Sequence, residues 1–288
     1  MLQLLLEISR RGVRNNTNPE SAYSRLFSSE YTLARALEDA GRKEEARAHF
    51  LESEKALQKS IDFDRLYYDT HRLKAVLLLE RYCDAKGARR EAEAAYRKAI
   101  ALGPDQADPY NALGLLKASS RKEREAESLY RKALENNSKL AAARHNLALL
   151  VSGRPKRLEE ALELWRRNAA EAPELLASRL SLAEALARAG RTEEARREYE
   201  AALRLSPDSV SARLALAELH SREGDHQAAL AEVSMALRAR PGNPVVLERL
   251  GDARAALGRK TEAVRAWQEA LQTTSDPKAR KRLRQKLR

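Results

Sequence analysis

Paired carboxylates are the residues of this sequence that could most readily perform acid–base chemistry. They occur at Glu44-Glu45, Glu159-Glu160 and Glu193-Glu194. General acid–base catalysis needs groups that face one reacting atom, whereas adjacent residues of a helix point in different directions. Each pair also begins a segment with helical periodicity, where negative charge complements the helix dipole. We therefore interpret these pairs as helix-start residues and not as catalytic groups.

The other reactive side chains do not form a pattern that indicates catalysis or metal binding. The five histidines are scattered and lack HExxH spacing. Cys83 is the only cysteine, so neither an internal disulfide nor a multi-cysteine zinc site is expected. The sequence contains no glycine-rich phosphate loop and no G-x-S-x-G motif. We predict a protein that is not an enzyme, with no catalytic residues, no metal site and no cofactor.

An alanine that recurs at intervals of 34 or 35 residues, with one interval of 46, organises most of the chain. A large side chain usually stands four residues after it, and a small one three residues further on, which places all three on one helical face. The alanines are Ala46, Ala92, Ala126, Ala161, Ala195, Ala229 and Ala263. The residues four positions later are Phe50, Tyr96, Tyr130, Trp165, Tyr199, Val233 and Trp267.

Each unit of the pattern also predicts a second, preceding helix. A leucine lies thirteen residues before the alanine, or fourteen in the fourth unit, and a Gly or Ala usually follows it, which lets another helix approach closely. Glycine between the two segments predicts a turn, and proline after the second segment ends it. The third unit has Ser119-Ser120-Arg121 in place of the turn glycine, and Glu80 replaces the small residue in the second. Each unit is thus predicted to be helix–turn–helix.

The pattern resembles the tetratricopeptide repeat (TPR), whose signature W-x2-L-G-x2-Y…A-x3-F…P spans 34 residues. The third unit contains Tyr110-x2-Leu113-Gly114 and then Ala126-x3-Tyr130. The resemblance implies an all-α, right-handed superhelical solenoid of about seven repeats with a C-terminal cap helix. The expected parts are an N-terminal helix and linker (1–19), the repeat array (20–275) with long helices and an insertion between repeats 1 and 2 at about 54–72, and a basic cap helix (276–288).

The resemblance also implies that the first helix of each repeat lines a concave groove that binds a partner. Carried over by position, the groove residues are Arg35, Lys74, Arg81, Asn111, Leu115, His145, Asn146, Leu149, Glu184, Arg188, Glu218, Arg222, Glu248, Arg249 and Asp252. Glu184, Glu218 and Asp252 are 34 residues apart and form an acidic ladder, for which a basic partner segment is expected. Arg188 and Arg222 each follow their glutamate by four residues and are expected to neutralise part of this charge. A purely solvated face remains the alternative interpretation.

The functional prediction is a non-catalytic scaffold that binds a protein or peptide. An RNA-binding helical repeat, or the regulatory array of a larger enzyme or secretion complex, are the alternatives. The formal net charge is +12, and seven of the basic residues lie in 278–288, so only weak, non-specific nucleic-acid binding by this tail is expected. No apolar run is long enough for a membrane segment. A cytoplasmic location is the default expectation, while a periplasmic one or a longer parent chain stays open.

Overall fold

The computed structural model describes residues 2–14, 19–63, 71–76 and 87–288, and within them the chain is all-α, without a strand. Residues 71–76 are helical, and a short 3-10 helix covers Pro155–Arg157. The α-helices are α1 (Leu2–Arg14), α2 (Pro19–Asp39), α3 (Lys43–Phe63), α4 (Ala88–Leu102), α5 (Ala107–Ser119), α6 (Glu123–Asn136), α7 (Ala141–Ser152), α8 (Leu158–Glu171), α9 (Leu176–Arg188), α10 (Thr192–Leu205), α11 (Val210–Arg222), α12 (His226–Ala239), α13 (Pro244–Ala256), α14 (Lys260–Thr273) and α15 (Pro277–Lys286).

The chain divides into two compact halves, Met1–Ala143 and Arg144–Arg288. In the N-terminal half, α1 packs on α2, and α2 pairs with α3. Both α2 and α3 have 21 residues, and α2 begins at Pro19. Leu79, Glu80, Arg81 and Cys83 lie outside the described residues. The predicted domain boundaries stay predictions.

The C-terminal half contains the most regular repeats. The helices pair as α9 with α10, α11 with α12, and α13 with α14, and α15 packs on α14. Successive pairs also contact each other, because α10 packs on α11 and α12 on α13. Each helical pair therefore buries its remaining apolar face only against its neighbours, as expected for a repeat protein.

The recurring alanine is buried in every repeat, with at most 2% of its surface exposed. The large residue four positions later is also buried in six repeats, from Phe50 to Val233. Trp267 differs, because its side chain is only partly buried. Its indole nitrogen donates a hydrogen bond to Asp252 Oδ1 at 3.0 Å, which explains why one edge of the ring stays near the surface.

The turns between paired helices adopt a left-handed conformation at one fixed position. Gly190, two residues after α9 ends, has φ +76°, and Gly224 and Gly258 occupy the same place after α11 and α13. After α5 this place is held by Arg121, with φ +59°, and it is the non-glycine residue with positive φ in the described chain. The third repeat therefore keeps the turn geometry without the glycine, at a steric cost to the Arg121 backbone.

We predict that Arg121→Gly raises the free energy of unfolding by about 0.5–1 kcal/mol. Glycine relieves the left-handed strain, and this gain exceeds the extra entropy that glycine gives the unfolded chain. Urea denaturation followed by circular dichroism measures the change. The reciprocal control, Gly190→Ala, should destabilise by about 1 kcal/mol. An unchanged or lower stability of Arg121→Gly would show that this turn is not strained.

Candidate functional site

The first helices of the repeats in the C-terminal half are α7, α9, α11 and α13. We call the surface formed by their exposed side chains the A face. α11 and α13 contact each other directly, and Arg249 Nη1 lies 3.2 Å from Glu218 Oε2 across them. One ladder position, two residues after the recurring leucine, is occupied in turn by Leu149, Glu184, Glu218 and Asp252.

Glu184 and Leu149 are the ladder residues that remain exposed. Leu149 has 48% of its surface exposed, and Glu184 is exposed on α9. Within the described residues Glu184 makes no ion pair, while the charges of Glu184 and Arg188 both act on Tyr199. The expectation that Arg188 neutralises part of the Glu184 charge stays a prediction. The side chains of Glu184 and Arg188 are both exposed, and an ion pair between exposed side chains gains little free energy. Glu184 lies near Tyr199, whose pKa is raised to about 12 mainly by burial and further by the Glu184 charge.

Glu218 is neutralised from two directions. Its Oε1 accepts from Arg222 Nε at 3.1 Å, as predicted from their spacing of four residues. Its Oε2 accepts from Arg249 Nη1 at 3.2 Å, which the sequence pattern did not reveal because it depends on how α13 lies against α11. Both arginines are more than half exposed, so these ion pairs are surface pairs of modest strength.

Glu248 is not an open groove residue, because α15 covers it. Only 8% of its surface is exposed, and it accepts hydrogen bonds from Arg282 Nη2 at 3.0 Å and Lys286 Nζ at 2.9 Å. Burial acts to raise the pKa of Glu248, but the two cations outweigh it and the pKa is lowered. The expectation that Glu248 faces a partner is therefore wrong.

Asp252 is held by the same helix. Lys286 Nζ donates to its Oδ1 and Oδ2 at 2.7 and 2.8 Å, and Trp267 Nε1 donates to Oδ1. The Lys286 ammonium also lies 5.9 Å from the centre of the Trp267 ring. The basic tail thus supplies counter-charges to the end of the ladder, a role that was not predicted for it.

A buried polar network fixes the middle of the C-terminal half. Arg144 is 1% exposed; it donates to Asn168 Oδ1 at 2.9 Å and to Glu171 Oε2 at 2.7 Å. Asn168 Nδ2 donates to Ser178 Oγ, which lies 3.0 Å from His145 Nδ1. The only sequence signal was Asn168 itself, at a position that holds Ala or Ser in the other repeats.

His145 belongs to this network and not to an open binding surface. Trp165 Nε1 and Ser178 Oγ both lie within hydrogen-bond distance of its Nδ1, at 3.2 and 3.0 Å. Burial lowers the pKa of His145, which favours the neutral ring that can accept these hydrogen bonds. Asn146, next to it, is half-buried. The other predicted A-face residues, Arg188, Arg222 and Arg249, are exposed.

In the N-terminal half the predicted residues are spread over several helices. Arg35 is exposed on α2, Lys74 and Asn111 are half-buried, and Leu115 is 48% exposed on α5. Arg81 lies outside the described residues. This half also contains an acid that the periodicity did not indicate.

The unexpected acid is Glu30, which is 2% exposed. Arg10 Nη2 of α1 lies 2.8 Å from its Oε1, and His49 Nδ1 lies 2.6 Å from its Oε2. These three residues border a hollow of about 760 Å³ whose apolar wall includes Leu6 and Leu33. The contacts attach α1 to the first repeat.

Neither metal nor membrane chemistry is indicated by the described part of the chain. It contains no group of three or more His, Cys, Asp or Glu residues that could hold a metal ion. Among its helices, none is long and apolar enough to cross a membrane.

The comparisons with known proteins agree with the repeat geometry. A family model described as tetratricopeptide repeat matches residues 180–244, which cover most of α9 to α12 and the start of α13. The chain therefore carries tetratricopeptide repeats within residues 180–244. No curated protein matches it.

Solved TPR structures share the fold at low sequence identity. The TPR protein YrrB is 20% identical, with a TM-score of 0.54, over 67% of this chain and 99% of that chain. Pseudomonas aeruginosa pilF is 18% identical, with a TM-score of 0.60, over 83% and 99% of the two chains. Yeast Tom70 is 14% identical, with a TM-score of 0.59, and this chain spans 58% of it. At these identities the matches establish the fold alone.

We predict that replacing both Arg282 and Lys286 by Ala destabilises the attachment of α15 by about 1–3 kcal/mol. The double variant leaves the Glu248 carboxylate buried without its cationic donors. Amide hydrogen exchange of α15 measures the loss, with α9 amides as the internal reference. Adding Glu248→Gln should recover part of the protection, because a neutral amide is less costly to bury. Unchanged exchange in α15 would contradict the role assigned to these ion pairs.

The same ion pairs predict a pH dependence. Because the pKa of Glu248 in the folded protein lies below its ordinary value of 4.5, its stabilising contribution is present above about pH 4.5 and is lost as the pH falls through the lowered pKa. Protection of α15 should therefore fall on acidification more steeply in the wild type than in Glu248→Gln. Equal pH profiles of the two proteins would exclude Glu248 as the group responsible.

Proposed function

We propose that this TPR protein is a non-catalytic scaffold that binds a segment of a partner protein on the A face of its C-terminal half. The observation that carries the proposal is the contrast along the ladder. Glu218 and Asp252 are engaged by cations of the chain itself. Leu149 and Glu184, which hold the ladder position in two successive repeats, remain exposed. An exposed apolar residue and an exposed acid at equivalent positions of successive repeats suit a segment with one apolar and one basic side chain.

The contact between α15 and the ladder shows how a basic segment can bind an acid at this position, and it supports the proposal. It is a basic helix that contacts α13, the first helix of the last repeat. Its Lys286 donates a hydrogen bond to Asp252 at the ladder position. A partner segment would make the corresponding contact with Glu184, two repeats earlier. The TPR protein YrrB, which shares the fold, has a peptide-binding site. Of the three acids of the ladder, Glu184 is thus the one to which we assign the contact with a basic side chain of the partner.

The test compares two variants with the same composition and net charge. The A-face variant carries Leu149→Asn and Glu184→Lys. The control carries Leu205→Asn and Glu163→Lys, which alter an exposed leucine and an exposed glutamate on second helices. Partners captured from the native host by the wild type should be captured equally by the control. The A-face variant should bind them about tenfold more weakly or worse, since one apolar contact and one charge each contribute on the order of 1 kcal/mol.

The readout is quantitative mass spectrometry of captured proteins, followed by titration of each at two salt concentrations. The part of the difference that comes from Glu184 should shrink at high salt, because exposed charges are screened. Circular dichroism must show equal helicity for all three proteins. Partners that bind the A-face variant normally but are lost by the control would overturn the proposal.

A further inference from the structure

A small hollow interrupts the A face between α11 and α13. Its volume is about 190 Å³, and it is bordered by α11, α12 and α13. The apolar lining includes Leu214, Ala217, Ala229, Val233 and Ala253. Polar groups from Glu218, His226, Arg249 and Asp252 complete the lining. The hollow thus combines an apolar wall with polar atoms and is open on the proposed partner-binding surface.

The hollow lies where the repeat pattern has a smaller residue than usual. Val233 occupies the position that holds Tyr199 in the preceding repeat and Trp267 in the following one. Tyr199 is 6% exposed, so in its own repeat the aromatic ring is packed between the helices. Valine is much smaller than either aromatic residue. The space that a ring fills from within in the neighbouring repeats is therefore left open in this one.

Two polar atoms in the lining match an indole nitrogen. His226 Nδ1 is buried and has no hydrogen-bond partner within the described chain. Glu218 stands at the ladder position where, one repeat later, Asp252 accepts from Trp267 Nε1 at 3.0 Å. A histidine Nδ1 also accepts from an indole elsewhere in this chain, from Trp165 to His145 at 3.2 Å. In the tautomer that carries its proton on Nε2, His226 Nδ1 is a buried acceptor without a donor, so a side chain that fills the hollow and donates to Nδ1 is favoured.

A cationic side chain fits this hollow less well. Arg249 is part of the lining, and it already pairs with Glu218. Lys286 pairs with Asp252 on the other side. A lysine or arginine entering the hollow would be repelled by these positive charges. A neutral ring with one N–H donor avoids this repulsion and fills the apolar wall.

We infer that the hollow at Val233 is a pocket for one tryptophan side chain of the partner segment, with the indole N–H donated to His226 Nδ1 or Glu218. The inference rests on the proposed function and extends it, because it names an aromatic anchor beyond the apolar and basic contacts at Leu149 and Glu184. The side chain would take the place that Trp165 takes in the fourth repeat, where the residue equivalent to Ala217 is also an alanine, Ala148. Aromatic residues that fill buried pockets commonly dominate the affinity of such segments.

The test uses N-acetyl-tryptophanamide as the probe and the ¹⁵N-labelled full chain. Amide shifts of Ala217, Ala229, Val233 and Ala253 should change on titration. N-acetyl-lysinamide and N-acetyl-leucinamide should bind at least about tenfold more weakly, because they lack the ring area or the N–H donor. The Val233→Trp variant fills the hollow from within and should abolish the shifts. Val264→Trp, which adds the same ring at an exposed valine of α14, should retain them.

The variant is compatible with the fold by internal precedent, because Ala148 already accommodates Trp165 at the position equivalent to Ala217. If Val233→Trp does not fold, Val233→Tyr reproduces the Ala183 and Tyr199 pair and serves instead. Absence of shifts in the wild type, shifts that persist when the hollow is filled, or equal binding of the lysine probe would each overturn the inference. Partner capture that still depends on Leu149 and Glu184 would then leave the proposed function intact.

Discussion

The close approach of the two helices within each repeat is the contact on which the rest of the structure depends. A small residue of the first helix faces a large residue of the second, and a methyl group added at Gly114 would lie 2.6 Å from the Tyr130 ring. Added at Gly251, it would clash with Trp267. Where the small residue is alanine, as at Ala148, Ala183 and Ala34, it is entirely buried. This contact sets the spacing of the paired helices and leaves their outer faces to neighbouring repeats.

The first and last helices of the described chain, α1 and α15, are attached to their neighbours by similar ion pairs. At the start, α1 brings Arg10 to the buried Glu30 of α2. At the end, α15 brings Arg282 and Lys286 to the buried Glu248 of α13. Neither α1 nor α15 belongs to one of the helical pairs, so the contacts within the pairs do not define its position. An apolar surface alone holds such a helix but specifies its register poorly, whereas a buried acid that needs a cation accepts only one placement. Ionic contacts therefore define the helices that repetition does not.

The periodicity predicted the helices, the turns and most of the core, because these depend on spacings within one repeat. The alanine at the start of each second helix, the left-handed turn and the terminal proline follow from such local rules. The pairing of Arg249 with Glu218, and of Lys286 with Asp252, could not be predicted. These pairs join helices more than 30 residues apart, and their existence depends on side-chain direction and on the angle between neighbouring first helices. The acidic ladder was consequently predicted to be more open than it is.

Departures from the repeat pattern have two different physical meanings in this chain. Asn168 replaces a small residue, and both ends of its amide are hydrogen-bonded, the oxygen to Arg144 and the nitrogen to Ser178. That departure is part of the core. Val233 replaces an aromatic residue, and the structure leaves the freed volume and the acceptor of His226 unused. Glu218 and Asp252 form ion pairs with cations of the chain, whereas Glu184 forms none within the described residues, so its charge is also left uncompensated. A substitution that the fold compensates stabilises the fold, whereas one that the fold leaves uncompensated offers its volume, charge or hydrogen bond to another molecule. Glu184 lies on the A face and the hollow at Val233 opens beside it, and this is the physical reason for proposing that a partner binds there.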